Sequence, residues 1–356
     1  MKLRTSRRSL LQLAAGCTAA VGLGGALGAC SRRSEQAPVA GADEGAGPGT
    51  DDRLPDPIES LEIIGSGYIW TEGPVWLGDE NGQLLFSDVP GNTIYSWVRR
   101  DREYGDGEYS WVGDTTSVFL RPSGLEVSTM PGYVREGGAN GLALGRGGVV
   151  YADSGNRCIS VVDLETRQKT VLVDRFEGKR LNSPNDLVVA RNGDIYFTDP
   201  PYGLVGVRES PLRELDITGV FRITPNNELQ LVADNLFPNG IGLSPDERIL
   251  YVNDPAGRVA FDLDANGNVL GQRPFTSPDT PGRGGDGFTV DAAGKLWCLS
   301  RGGIHVFMPD GRRIGYRGFD GRASNCAFGA DGYLYVTNGD RVLRCEVSDA
   351  FKPVKA

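Results

Sequence analysis

Histidine is almost absent from this chain: His305 stands alone in 356 residues. That makes a Ser-His-Asp triad or a His-rich zinc site a poor expectation. In GGIHVF the residue alternates with Ile304 and Val306, so it reads as a packing side chain. Cysteine is scarce as well. Cys158, Cys298, Cys326 and Cys345 show no CxxC spacing, and buried free thiols are expected rather than a disulfide framework. Long amphipathic helical patterns are missing. So are a GxxxxGK[ST] phosphate loop, a GxSxG nucleophile elbow and any basic stripe interleaved with aromatics. The formal net charge is −9, and with Lys2, Arg4, Arg7 and Arg8 set aside the rest stands near −13 (−9 minus 4). Such an acidic body excludes nucleic acid as the expected partner, because phosphates need basic surface.

What is present begins with an export signal. Residues 1–29 combine a basic start, Arg7-Arg8 followed by Ser-Leu-Leu, and a Gly/Ala-rich apolar stretch. This reads as a twin-arginine signal to be set aside from fold reasoning. It ends in LGAC, which resembles a lipoprotein cleavage box and makes Cys30 the expected lipidated first mature residue. Twin-arginine export carries folded cargo out of a reducing cytosol, which agrees with free thiols. Residues 30–57 hold almost no large apolar side chains and read as a lipidated start and flexible linker. The expected place of the protein is therefore periplasmic or cell-surface, touching membrane only through its N-terminal lipid.

The body, residues 58–350, repeats. GQLLFSD, GGVVYAD, GDIYFTD, ERILYVND, GKLWCLS and GYLYVTN each join a turn, a short β-rich core and a small or polar exit. Their mean spacing is roughly 50 residues, in the range of four-stranded propeller blades. Gly (51) and Pro (21) fall mostly between the apolar runs, as turns do. An all-β, six-bladed β-propeller is expected, with room in its first interval for an extra loop around REYGDGEYSWVGDTTSVFL. In such a fold the strand ends gather distant positions into one central mouth.

Five motifs in register then carry a resemblance: TEGPVW, GKRLNSPNDLVV with GDIYFTDPPYG, FPNGIGLSPDERILYV, GGDGFTVDAAGKLWC and NCAFG. Over about residues 60–347 the chain resembles the SMP-30/gluconolactonase/luciferin-regenerating family. That resemblance implies a propeller with one divalent ion in its central channel and hydrolysis of sugar lactones. It implies Glu72, Asn185, Asn239 and Asp286 as metal ligands, Asp286 also as the acid/base, and Arg180 with Asn185 as substrate contacts. Two departures stand out. Gly285 precedes Asp286 where relatives often have Pro, and Ser154 occupies the place of a His found in many bacterial relatives.

The donor types make chemical sense on their own. Two carboxylates and two carboxamides form an all-oxygen set suited to Ca²⁺, Mg²⁺ or Mn²⁺, with Zn²⁺ less favoured. Such an ion polarises a carbonyl and acidifies water, Asp286 serves as base, and an activated ester needs no covalent nucleophile. Taken singly, the same residues read as turn chemistry. Asn239-Gly240 is a turn dipeptide, Asp286 sits between glycines, and Asp88, Asp153, Asp199 and Asp254 recur as turn caps. The expected function is a metal-dependent lactonase acting on a sugar lactone or related cyclic ester. A metal-binding scaffold module, or an esterase or organophosphatase, are the other readings. Oligomeric state is left open.

Overall fold

The computed structural model describes residues 54–104, 109–277, 280–282, 284–300 and 302–352. The signal at 1–29, Cys30 and most of the linker lie outside the described residues. Each of the six repeated sequences forms the second strand of a four-stranded antiparallel sheet: Gln83–Asp88, Gly148–Asp153, Ile195–Thr198, Ile249–Asp254, Leu296–Ser300 and Leu334–Asn338. Being paired on both edges and covered on both faces, these strands are buried nearly throughout and carry an apolar run before a polar exit, which is why they stand out in the sequence. The outermost strands Lys169–Val173, Leu229–Ala233 and Val269–Pro274 are far more exposed and carry no such signature.

The first strands of the sheets are Thr71–Leu77, Ala139–Gly145, Leu187–Val189, Ile241–Leu243, Phe288–Val290 and Ala323–Phe328. Each touches the first strand of the next sheet, and the sixth touches the first. The result is a closed ring of six blades about one axis. The core lies between neighbouring blades. Val150 and Ile159 of the second pack on Leu187, Ile195 and Phe197 of the third, and Tyr251 and Ala260 of the fourth pack on Phe288, Leu296 and Cys298 of the fifth. The four described cysteines are all buried and free.

The ring is closed by joining the two ends of the chain. Ile58–Ser66 pairs with Arg341–Val347 as the outermost strand of the sixth blade, in antiparallel register from Ile58↔Val347 to Ser66↔Arg341. The sixth and first blades are then stitched near the axis: Thr71 Oγ1 donates to Gly339 and Arg341 carbonyls, and Ser324 Oγ donates to Thr71 O at 2.7 Å.

One expectation fails. The extra length near residues 101–119 is no loop but a long hairpin, Thr93–Tyr104 with Tyr109–Leu120, paired from Ile94↔Leu120 to Tyr104↔Tyr109. The run Thr115-Thr116-Ser117-Val118-Phe119 is rich in β-branched residues and ends in an aromatic one, and such residues favour an extended, paired backbone. The added residues lengthen two strands of the first blade instead of leaving it.

Candidate active site at the mouth of the channel

Six polar residues stand at or just before the starts of the first strands: Glu72, Asn140, Asn185, Asn239, Asp286 and Asn325. Four of them precede a glycine, and at Gly240 and Gly287 the reason is crowding at the neck rather than turning, while Gly73 is both crowded and at a positive φ. A Cβ on Gly240 would lie 2.7 Å from Asp286 O, and one on Gly287 would lie 2.2 Å from the Asn325 side chain. Neither glycine has a positive φ. The turn reading of Asn239-Gly240 and of Gly285-Asp286-Gly287 is therefore corrected: the glycines let neighbouring strands approach closely, and the residue before each is left at the mouth.

Buried Glu72 and half-buried Asp286 come from the first and fifth blades and lie close enough for their charges to interact. Burial raises the Glu72 carboxyl well above the usual carboxylate range, and the charges of Asp286 and Asp186 push it further. The indole Nε1 of Trp70 donates to Glu72 Oε1 at 3.2 Å. Asp286 is pushed up to about 7 by burial, against the pull of Arg322 and the Asn239 amide, with Asp186 and Glu136 adding repulsion. Its backbone is fixed by Asn253 Nδ2 donating to Asp286 O at 2.6 Å, and by Asp286 N donating to Leu299 O.

Asn185 and Asn239 are tied together through Thr198. The Asn185 N–H donates to Thr198 O, and Thr198 Oγ1 donates to Asn239 O at 2.8 Å. The side-chain amide of Asn185, in a residue only 6% exposed, has no hydrogen-bond partner among the described residues. A carboxamide at the mouth without a protein partner is available to a ligand. Asp186 beside it is differently employed. Its carboxylate accepts from Leu187 N at 2.9 Å and from Asn325 Nδ2 at 3.3 Å, bracing the third blade to the sixth. Arg180 lies on a short ribbon, Arg175–Phe176 with Lys179–Arg180, and its Nη2 donates to Asn156 O at 2.5 Å. The structure thus brings Glu72, Asn239 and Asp286 together, adds Asn185 through its backbone, and holds Arg180 on a carbonyl of the second blade.

Sequence reasoning missed several groups. Half-buried Glu136 comes from the connection into the second blade, where Ser154 Oγ lies 3.4 Å from its Oε2 and where its charge reaches Glu72 and Asp286. Asn140 and Asn325 complete the ring of polar residues. Asn140-Gly141 has the same dipeptide form as Glu72-Gly73 and Asn239-Gly240, and that recurrence was the available signal. Ser154 does not stand idle in the place of a histidine: its Oγ also donates to Pro184 O at 2.6 Å, next to Asn185.

A second tier of acids holds the first in place. Asp88 Oδ1 accepts from Ile69 N and Trp70 N, Asp199 Oδ2 from Asn182 N at 2.8 Å, and Asp254 Oδ2 from Phe237 N at 2.6 Å. Each closes the second strand of its blade and grips the chain two or three residues ahead of Glu72, Asn185 or Asn239. Along the axis a cavity of about 200 Å³ follows, lined by first strands of all six blades, with Asp186 and Asn325 polar and Leu142, Leu243 and Phe288 apolar.

His305 lies elsewhere, in the fifth blade. Ser300 Oγ is 3.0 Å from its Nε2 and Arg313 Nη1 is 3.2 Å from its Nδ1. Since a guanidinium can only donate, Nδ1 is the acceptor, and Nε2 carries the hydrogen and donates to Ser300. The pair has the wrong polarity to activate a serine, and burial lowers the imidazole to about 3.

Among the described residues, no group of three or more His, Cys, Asp and Glu side chains is placed to hold a metal ion. A cation at this mouth would rest on two carboxylates, Glu72 and Asp286, with carboxamide oxygens supplying the remainder. That donor chemistry suits a hard cation, and the mutual repulsion of Glu72 and Asp286 is what a positive ion between them would relieve.

Residues 70–340 match the family described as SMP-30/Gluconolactonase/LRE-like region. The chain is 40% identical over 309 residues to a gluconolactonase of Zymomonas mobilis, covering 82% of this chain and 83% of that one. It is 27% identical over 281 residues to a pentonolactonase of Haloferax volcanii, covering 75% and 80%. Among solved structures, a gluconolactonase from Xanthomonas campestris shares 33% identity with a TM-score of 0.66, over 81% of this chain and 89% of that one. A regucalcin from Agrobacterium tumefaciens, described as a calcium-binding protein, has a TM-score of 0.59 at 17% identity, covers 85% and 98%, and speaks to the fold.

Proposed function

The chain belongs to the SMP-30/Gluconolactonase/LRE-like family, and from that premise we propose that it opens a sugar lactone at the channel mouth, with Asp286 as general base beside a divalent cation. Its lactone-opening relatives make it a lactonase-type hydrolase. The observation that carries the finer reading is the pair Glu72 and Asp286, close enough for their charges to interact, with Asn239 on the Asp286 carboxyl and the partnerless amide of Asn185 in the same ring of strand starts. These four would hold the ion, Ca²⁺ first, with Mg²⁺, Mn²⁺ or Zn²⁺ as substitutes. When bound, the cation supplies a Lewis acid for the lactone carbonyl.

The chain's own residues account for the rest. Asp286 takes a proton from the attacking water, a bond forms between that oxygen and the acyl carbon, and the acyl–ring oxygen bond breaks. Asp286 returns the proton to the ring oxygen, leaving a hydroxy acid whose carboxyl then releases its proton to solvent, so atoms and charge balance without a covalent enzyme intermediate. Asn239 hydrogen-bonds the Asp286 carboxyl and keeps it directed. Trp70 does the same for Glu72. Arg180 serves as a substrate contact by exchanging the Asn156 carbonyl for a sugar hydroxyl. Export on the twin-arginine signal and lipid attachment at Cys30 would display this mouth outside the cytoplasm.

Proton release from glucono-δ-lactone, measured before and after exhaustive EDTA treatment and after adding back each ion, tests the reading. Loss with EDTA and recovery with one cation are expected. Turnover that persists in metal-free protein sinks the cation's role, and no turnover on any aldonolactone sinks the lactonase reading. Intact mass of the exported protein, with and without Cys30→Ala, checks the lipid.

A further inference from the structure

The arginines near the mouth differ in what their guanidinium groups have to do. Arg180 is on Asn156 O, Arg157 Nε is shared by Leu181 O and Asn182 O, and Arg213 is spent on Asn182 and the carbonyls of Arg208, Leu215 and Asp216. Arg322 is not. It is half-buried, its guanidinium carbon lies 5.1 Å over the Trp70 ring, and it has no hydrogen-bond or ion-pair partner among the described residues. The ring beneath it is the one whose Nε1 donates to Glu72 Oε1. A stacked guanidinium loses little freedom and keeps its in-plane donors free for an anion.

We infer that Arg322 is a specificity-determining residue: held over Trp70 at the edge of the acid pair, its guanidinium receives the carboxylate that ring opening creates. The inference rests on the lactonase reading above and deepens it. The lactone enters neutral and the product leaves as an anion, and that new charge forms beside Asp286. The stack on Trp70 sets Arg322 beside the Glu72 end of the pair, and its charge acts on the Asp286 carboxyl as well. The residue is also suited to the task by chemistry, since a planar fork meets a carboxylate with two parallel hydrogen bonds. Arg208 offers a contrast across the mouth. It stacks 3.7 Å over Phe237 but is exposed, where water competes for its donors.

The test compares wild type, Arg322→Lys and Arg322→Met in hydrolysis of glucono-δ-lactone, with gluconate and the uncharged polyol sorbitol as inhibitors. Arg322→Met is expected to raise the gluconate inhibition constant on the order of tenfold, as for loss of a charge-assisted contact. Sorbitol inhibition should move less than about twofold, and Arg322→Lys should fall between, because a point charge replaces the fork. Thermal melts of the three proteins show whether the fold is retained. A gluconate constant unchanged in Arg322→Met, or equal losses for gluconate and sorbitol, overturns the assignment and leaves the lactonase reading standing. If Arg322→Met fails to fold, equal gluconate constants in wild type and Arg322→Lys overturn it by themselves. A wild type that opens no aldonolactone removes both, and that outcome is read first.

Discussion

Two tiers of acids surround the axis, and they differ in what faces them. Asp88, Asp199 and Asp254 each receive backbone N–H groups at hydrogen-bonding distance and so hold the chain. Glu72 and Asp286 lie within range of each other's charge, with the Trp70 indole on one and the Asn239 amide on the other, and neither carboxylate accepts a backbone N–H among the described residues. The residue types are the same, and the aim of nearby donors separates scaffold from chemistry.

Replacing the proposed base should have the largest consequence. Asp286→Asn keeps the shape and removes the proton acceptor, and kcat on the lactone should fall about 10²–10⁴-fold, while calcium binding followed by calorimetry persists in weakened form. Normal turnover in this variant would break the distinction between the tiers. Next comes the gripping tier. Asp254→Ala leaves the Phe237 N–H unpaired, so a loss of about 1–3 kcal/mol in unfolding free energy is expected, with a rise in KM from the slackened Asn239 segment. Asp254→Asn keeps one acceptor and should restore part of both, read by urea melts and steady-state kinetics.

A third test uses pH. Burial raises the Asp153 carboxyl to about 6 from its ordinary 3.8, despite the Asn156 donors. Between those values the folded chain holds a proton that the unfolded chain has released, so folding is favoured below the window and weakens as pH rises through it. Asp153→Asn should flatten the fall in unfolding free energy between about pH 4 and 6, and an unaltered slope would assign that fall to other groups. The smallest effect is expected at Arg180. Arg180→Ala should raise KM a few-fold with kcat kept, since the wild-type residue must first give up Asn156 O. A large drop in kcat would move Arg180 from substrate contact into the reacting tier.

Much of this architecture was visible in the sequence because the second strands are covered on both faces and must be apolar six times over. The outer strands alternate weakly, and the long hairpin at Thr93–Leu120 was misread as loop for want of that pattern. At the mouth, Glu72, Asn239 and Asp286 were legible through motifs, but the reason for their glycines was not. Close approach between blades involves residues about 50 apart, and local turn statistics carry no trace of it. Glu136, Trp70 and Arg322 were missed for the same cause. They lie on connections whose course depends on the finished ring.

The strand that closes the sixth blade also decides how the molecule answers a pull. Both chain ends emerge at the Ile58–Val347 end of that pairing. Tension between them meets the ladder one bond pair at a time, unzipping from Ile58 toward Ser66 rather than shearing all pairs together. Thr71 and Glu72 follow Ser66 in the chain, so the proposed site lies beyond the last pair to part and is the last segment to bear the load.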